Sequence, residues 1–254
     1  PIPADAWQRL PEQDDGLEAL ACDYYGAAAL LPVAGSQAAI QALPRLRRPG
    51  MRVGVVSPAY AEHALAWRRE GHLVQELSEG AVERSLERFD VLLVINPNNP
   101  SGRLIERTRL LDWHARLAER GGWLVVDEAF MDCTPQHSLA AESQRPGLIV
   151  LRSFGKFFGL AGIRLGFVLA EQALLDHLGE QLGPWTVSGP ARAVASALLA
   201  DSQGQQRQRE RLSGDGLRLA VLLSAHGLAP AGGTALFQLV GHPHAVGLHG
   251  YFAR

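Results

Sequence analysis

One stretch governs the interpretation of this sequence: Ser153-Phe-Gly-Lys156-Phe-Phe-Gly-Leu-Ala-Gly-Ile-Arg164-Leu-Gly166. It holds the only lysine among 254 residues; the other 23 of the 24 Lys and Arg side chains are arginine. Arginine stays protonated and cannot act as a nucleophile, whereas a desolvated lysine amine can form a Schiff base with an aldehyde. A surface lysine without a function is the alternative, but three phenylalanines and four glycines surround Lys156. That setting favours a desolvated, reactive lysine over a solvated charge.

Short apolar runs alternate with helical patterns on both sides of this stretch. The segments that we interpret as strands are residues 51–56, 73–77, 90–95, 123–126, 148–151 and 167–170. The run at 90–95 is almost continuously apolar, which is typical of a parallel strand buried on both faces. This alternation predicts an α/β fold, with a mainly parallel sheet in a three-layer α/β/α large domain.

The character of the chain changes after Glu171, where helices dominate. We expect a long charged helix that breaks near residues 213–216, and then a strand at 235–240. We interpret residues 1–32 as an N-terminal segment with an interface helix, and 33–185 as the cofactor-binding large domain. Residues 186–254 are then linking helices and an incomplete small α+β domain. The chain opens without Met and stops inside a helical pattern, so we expect both ends to be incomplete.

Polar loops follow four of the predicted strands, at residues 57–60, 96–102, 127–130 and 153–156. In a parallel sheet, ligands bind beyond the carboxyl ends of the strands. The four loops should therefore contribute to a single site, which is a stronger indication than any one motif.

A lysine that binds an aldehyde cofactor suggests pyridoxal phosphate, which needs several further groups. Asp127 is the candidate for the carboxylate at the pyridine nitrogen, although a buried structural acid or a helix cap is the alternative. Asn99 is the candidate donor to the ring 3-oxygen, or else part of an Asn-Pro turn. Tyr60 is placed to stack on the ring, or else to pack in the core. Together with Lys156, these residues predict a pyridoxal phosphate site.

The phosphate of such a cofactor needs a cradle of donors. Gly35-Ser36-Gln37 opens a predicted helix, Ser36 is a plausible N-cap, and the free N–H groups of a helix start suit an anion. Ser153 and Arg164 offer a hydroxyl and a guanidinium for the same phosphate. The alternative for Gly35-Ser36-Gln37 is an ordinary helix cap.

Composition argues against several other classes of function. The charged content of 20% and the net charge of −2 give no basic surface for nucleic acid and no polybasic membrane signal. Cys22 and Cys133 are too few for a disulfide framework, so we expect reduced thiols in the cytoplasm. The nine histidines show no spacing typical of metal ligands, and we expect no metal.

These motifs resemble those of the fold-type I, aspartate aminotransferase-like family of pyridoxal phosphate enzymes. The resemblance rests on Ser153-x-x-Lys156-x-x-Gly-x-x-Gly-x-Arg164-x-Gly166, on the loop Asn96-Pro-Asn-Asn99-Pro-Ser-Gly102, and on Asp127-Glu-Ala. Within the family, the lysine stretch and Val33-Ala-Gly-Ser-Gln37 look most like the threonine-phosphate decarboxylases of cobalamin biosynthesis. Histidinol-phosphate aminotransferases are similar too. A cofactor-sensing domain without catalysis is a remote third possibility.

The resemblance implies a homodimer and a small phosphorylated amino acid, L-threonine O-3-phosphate, as the substrate of a decarboxylation. The sequence also departs from the family's pattern at two positions. Phe130 stands where many relatives have a tyrosine that donates to the ring 3-oxygen, and Leu10 stands where the aminotransferases have a tyrosine that crosses the dimer. The family's late arginine for the substrate carboxylate would lie beyond Arg254.

Overall fold

A computed structural model describes residues 2–252 of the chain. Seven strands form its main sheet: β1 (Leu31–Val33), β2 (Arg52–Val56), β3 (Leu73–Leu77), β4 (Val91–Ile95), β5 (Trp123–Asp127), β6 (Leu148–Ser153) and β7 (Gly166–Leu169). Their order across the sheet is β1-β7-β6-β5-β4-β2-β3. Strands β2 to β6 run parallel, whereas β7 is antiparallel to both of its neighbours, β6 and β1. The mainly parallel sheet predicted from the sequence is confirmed.

The helices before, between and after these strands are α1 (Asp5–Gln8), α2 (Leu17–Tyr25), α3 (Ser36–Ala42), α4 (Glu62–Arg69), α5 (Glu79–Ser85), α6 (Arg107–Ala118), α7 (Phe154–Phe157) and α8 (Gln172–Leu182). The C-terminal part contains α9 (Gly189–Leu199), α10 (Ser202–Ala225), the hairpin β8 (Gly232–Thr234) with β9 (Phe237–Leu239), and α11 (Ala245–Phe252). No helix among residues 2–252 combines the length and the apolar composition that crossing a membrane requires.

Two hydrophobic clusters cover the two faces of the sheet, because successive side chains of a strand point to opposite faces. Along β4, Val91 and Leu93 join one cluster, and Leu92 and Val94 join the other. The first contains Ile40, Trp67 and Leu175, from α3, α4 and α8; the second contains Leu17, Trp113 and Ala195, from α2, α6 and α9. The sheet therefore lies between two helical layers, and the three-layer architecture is confirmed.

Two local predictions are wrong. Helix α10 continues through residues 213–216 without a break. Gly216 is buried there, and a Cβ on it would lie 3.0 Å from the Cα of Ala235, so this glycine allows close packing and does not end the helix. At α3 the N-cap is Gly35, with φ of 75°, and no side chain caps the helix. Ser36 is therefore the first residue inside α3, not its N-cap.

Candidate cofactor site

A cavity of about 290 Å³ opens beyond the carboxyl ends of the parallel strands. All nine residues predicted to bind the cofactor line it: Gly35, Ser36, Gln37, Tyr60, Asn99, Asp127, Ser153, Lys156 and Arg164. They come together because Asp127 and Ser153 end the neighbouring strands β5 and β6, while Tyr60 and Asn99 lie in the loops after β2 and β4. Ile40, Ile95, Ala129 and Phe130 complete the lining.

Asp127 forms the buried floor of the cavity and is only 4% exposed. Its Oδ1 accepts a hydrogen bond from the backbone N–H of Ala129 at 3.0 Å, and its Oδ2 lies 2.8 Å from Nε2 of His63. The sequence interpretation missed His63, which is 2% exposed on α4. No spacing in the sequence points to His63, because Tyr60 lies in the loop before α4 and only the folded chain brings this histidine to Asp127. The two rings lie edge to face, with centroids 6.4 Å apart.

The loop after β4 is held by its own side chains. Asn96 is fully buried; its Oδ1 accepts from the N–H of Ile105 at 2.7 Å, and its Nδ2 donates to the carbonyl of Ile105 at 3.1 Å. Asn98 Nδ2 donates to Ser101 Oγ at 2.7 Å. Asn99, by contrast, makes no side-chain hydrogen bond to any residue between 2 and 252. The loop thus presents the amide of Asn99 to the cavity as a free donor.

Close backbone approaches shape the end of the cavity formed by α3. A Cβ on Gly35 would lie 2.6 Å from Nη2 of Arg164, so the guanidinium packs directly on the glycine backbone. Arg164 has φ of 54°, in the left-handed region, and its Nη1 donates to the carbonyl of Ala161 at 2.9 Å. A Cβ on Gly166 would lie 2.5 Å from the backbone nitrogen of Ser36. These glycines let the start of α3, with its unpaired N–H groups, sit beside a guanidinium.

Gln37 and Tyr60 are linked at the mouth of the cavity. Gln37 Nε2 donates to Glu62 Oε2 at 3.0 Å, and the hydroxyl of Tyr60 donates to Gln37 Oε1 at 3.4 Å. The Gln37 side chain therefore already has protein partners, which orient Tyr60. This arrangement leaves the backbone of Gln37, more than its side chain, for an anion.

Lys156 lies on the one-turn helix α7, immediately after β6. The expectation that it is desolvated is wrong for the chain by itself, because Lys156 is exposed where it borders the cavity. Its Nζ lies 5.8 Å from the ring centroid of Phe130, which in turn contacts Phe237 of β9 at 5.0 Å. An apolar wall thus lies beside the amine.

Comparison with known proteins identifies the class. The family model for aminotransferase class I and II matches residues 7–248. The chain therefore belongs to the aminotransferase class I and II family and is a pyridoxal phosphate-dependent enzyme.

Particular relatives narrow this class. The chain is 67% identical over 253 residues to the threonine-phosphate decarboxylase of Pseudomonas aeruginosa, which covers 100% of this chain and 76% of that protein. The L-threonine-O-3-phosphate decarboxylase from Porphyromonas gingivalis has a similar structure, with a TM-score of 0.81 and 21% identity over 97% of this chain and 82% of that one. So does the histidinol-phosphate aminotransferase from Sinorhizobium meliloti in complex with pyridoxal-5'-phosphate, with a TM-score of 0.78 and 23% identity over 91% and 67% of the two chains.

The residues around the cavity fit pyridoxal phosphate by their chemistry. Its volume is near the lower end of the roughly 300–1,000 Å³ that is usual for small-ligand sites. The lining offers a buried carboxylate fixed by two donors, a guanidinium and a helix start, together with the amine of Lys156 and the free amide of Asn99.

Proposed function

We infer that this protein is a threonine-phosphate decarboxylase, which removes CO2 from L-threonine O-3-phosphate to give (R)-1-aminopropan-2-ol O-phosphate in cobalamin biosynthesis. The observation that carries the inference is 67% identity to an enzyme of that name over 253 residues. The cavity supports it, because an amine, a carboxylate and a phosphate cradle are what pyridoxal phosphate chemistry on a phosphorylated amino acid needs.

We propose these roles for the residues of the cavity. Lys156 would hold pyridoxal phosphate through Nζ, which would bond to the aldehyde carbon of the cofactor, and the same amine would be available to release the product. When bound, the cofactor supplies an electron sink for the pair left on the substrate's α-carbon as CO2 departs. Asp127 would hold a proton on the pyridine nitrogen, and its two hydrogen bonds, with Nε2 of His63 and from the N–H of Ala129, orient the carboxylate.

The remaining residues position the cofactor. Asn99 would donate to the ring 3-oxygen, and Tyr60 would provide a face for the ring. The phosphate would be held by the backbone at Gly35, Ser36 and Gln37, the hydroxyl of Ser153 and the guanidinium of Arg164. The support is that the Asn99 and Ser153 side chains make no hydrogen bond to other residues in the described range 2–252 and both line the cavity.

The test is to supply the holoenzyme with each candidate substrate. With L-threonine O-3-phosphate we expect CO2 and aminopropanol phosphate in equal amounts. Conversion of histidinol phosphate with 2-oxoglutarate to a keto product and glutamate, without release of CO2, would instead establish an aminotransferase. Lys156→Ala is the control: it should lose turnover and the long-wavelength absorbance of covalently bound cofactor, whereas Arg145→Ala, far along the surface, should keep both.

We further propose that the protein is a homodimer. Large apolar side chains are exposed around a groove of about 820 Å³, among them Trp7 at 67%, Leu10 at 64% and Trp185 at 56% exposure. Contiguous exposed apolar surface of this kind marks interfaces. Light scattering should give twice the chain mass, and Trp185→Ser should shift the protein toward the monomer. Leu73→Ser, at an equally exposed position on the edge strand β3, is the matched control.

We also propose a cytoplasmic location, with a large domain at residues 33–185 that contains all nine cofactor-site residues. Both cysteines, Cys22 and Cys133, are free thiols in the structure, as in reducing compartments. Cell fractionation tests the location, and limited proteolysis near residues 185 and 33 tests the domain boundaries.

A further inference from the structure

A charged triad is buried directly behind the cofactor site. It consists of Glu128, Asp132 and Arg152, whose side chains are 0%, 3% and 2% exposed. Arg152 Nη1 donates to Glu128 Oε2 at 2.7 Å, and Nη2 donates to Asp132 Oδ1 at 2.9 Å. The other carboxylate oxygen of Glu128 accepts from the N–H of Leu139 at 2.7 Å.

Stability alone does not account for such a group. Desolvation raises the pKa of Glu128, and the charge of Arg152 only partly opposes that effect. Replacing a buried ion pair by apolar residues of similar volume is often neutral or even stabilising. The carboxylates of Glu128 and Asp132 in turn raise the pKa of Arg152, so the three charges depend on one another, and the position of the group indicates a role beyond stability.

The triad links the two strand ends that line the cavity. Glu128 directly follows Asp127 at the end of β5, and Arg152 directly precedes Ser153 at the end of β6. Because side chains alternate between the faces of a sheet, Asp127 and Ser153 point to one side and their charged neighbours to the other. The N–H of Glu128 also donates to the carbonyl of Leu151 at 2.9 Å. The ion pair thus clamps β5 to β6 immediately behind the residues that face the cofactor.

The same network reaches two helices. From α2, the hydroxyl of Tyr24 donates to Asp132 Oδ1 at 2.9 Å, and the Arg152 guanidinium lies 4.6 Å from the ring centroid of Tyr25. From α10, Arg209 Nε donates to the carbonyl of Asp132 at 2.9 Å. The preceding residue, Gln208, donates to the carbonyl of Phe157, next to Lys156, at 2.8 Å. Helix α10 is therefore bound both to the triad and to the lysine turn.

We propose that Glu128, Asp132 and Arg152 are positioning residues that set the separation of Asp127 from Ser153 and Lys156, and so determine cofactor affinity. The proposal rests on the proposed function in that the cofactor is pyridoxal phosphate. A displacement of a site group by about 1 Å can lower a catalytic rate on the order of a hundredfold, and we expect a loosened clamp to weaken cofactor binding as well.

The experiment compares Glu128→Gln with Glu79→Gln. Glu79 is also a buried carboxylate, bridged to Arg103 and Arg109, but it lies away from the cavity. Apoprotein is titrated with pyridoxal phosphate, and the Kd is corrected for the folded fraction from circular dichroism. We expect a Kd raised about tenfold or more in Glu128→Gln and less than twofold in Glu79→Gln. Equal Kd values for wild type and Glu128→Gln overturn the proposal.

A second variant covers the case in which Glu128→Gln does not fold. Glu128→Met with Arg152→Met and Asp132→Asn removes all three charges, so that no buried charge is left unpaired, and the side-chain oxygen at position 132 can still accept from the Tyr24 hydroxyl. A folded triple variant with an unchanged Kd shows that the triad is merely structural, whereas a Kd raised about tenfold at a similar melting temperature supports positioning. If this variant is also unfolded, Arg152→Lys, which keeps the charge, must still raise the Kd at least threefold. Failure of the wild type to bind pyridoxal phosphate would contradict the proposed function itself, not the clamp.

Discussion

The hydrogen bond between His63 and Asp127 is the most direct place to perturb the site without touching the cofactor. His63 is 2% exposed, and its Nε2 lies 2.8 Å from Oδ2 of Asp127. His63→Phe keeps a ring in the same space and removes the donor. Asp127 then keeps only the N–H of Ala129, at 3.0 Å on the other oxygen. The carboxylate loses the contact that fixes its orientation beneath the cavity.

The expected change in the Kd for pyridoxal phosphate follows from the type of hydrogen bond that is lost. A hydrogen bond to a charged group contributes about 1.5–3 kcal/mol, and about 1.4 kcal/mol corresponds to a tenfold change in Kd. Because Ala129 still holds one oxygen, and part of the loss falls on folding, we expect the lower end. The Kd for pyridoxal phosphate should rise about tenfold, and turnover with saturating cofactor should also fall.

The assay is a titration of apoprotein with pyridoxal phosphate, followed by quenching of tryptophan fluorescence. The matched control is His114→Phe, since His114 is also a buried helical histidine, whose Nε2 lies 3.0 Å from the carbonyl oxygen of Pro146, remote from the cavity. The two variants should lose similar thermal stability, but only His63→Phe should weaken binding. If both variants bind with the wild-type Kd, His63 does not position Asp127 and the reasoning fails.

Three further predictions concern other groups of the site and its surroundings. Gly35→Ala should weaken pyridoxal phosphate binding, because its Cβ would lie 2.6 Å from the Arg164 guanidinium at φ of 75°; Gly162→Ala, with open space around its Cβ, should bind normally in the same titration. Phe130→Tyr should lower the pKa of the Schiff base between Lys156 and the cofactor, because an added donor near the ring 3-oxygen stabilises the unprotonated form; an unchanged absorbance titration contradicts this. Burial, helped by the charge of Asp132, raises the pKa of the Cys133 thiol to about 11. In a Cys22→Ser background, alkylation at pH 8 should therefore be about a hundredfold slower than for a free thiol and should accelerate up to about pH 11; a rate that levels off below pH 9 is the opposing result.

Local patterns of apolar residues predicted most strands of the main sheet. Each strand from β2 to β7 lies within about two residues of its predicted range. For β4, β5 and β6 the reason is that a strand buried on both faces needs a nearly continuous apolar run. The prediction of a helix break at residues 213–216 was wrong because the local sequence of α10 does not show that Ala235 packs on Gly216. Similarly, Ser36 has the chemistry of an N-cap, but the approach of Gly166 and Arg164 to Gly35 sets the backbone there.

The sequence by itself determined the class of fold and nine of the thirteen residues that line the cavity, because the polar motifs that follow the predicted strands and open a predicted helix are visible in the chain. Only the tertiary structure revealed which residues support them: His63 beneath Asp127, Glu62 holding Gln37, and the Glu128–Arg152 pair behind both strand ends. Partners such as Glu128 and Arg152 are 24 residues apart, and no periodicity relates them. They meet because parallel strands β5 and β6 place their carboxyl ends side by side, and that juxtaposition exists only once the sheet has formed.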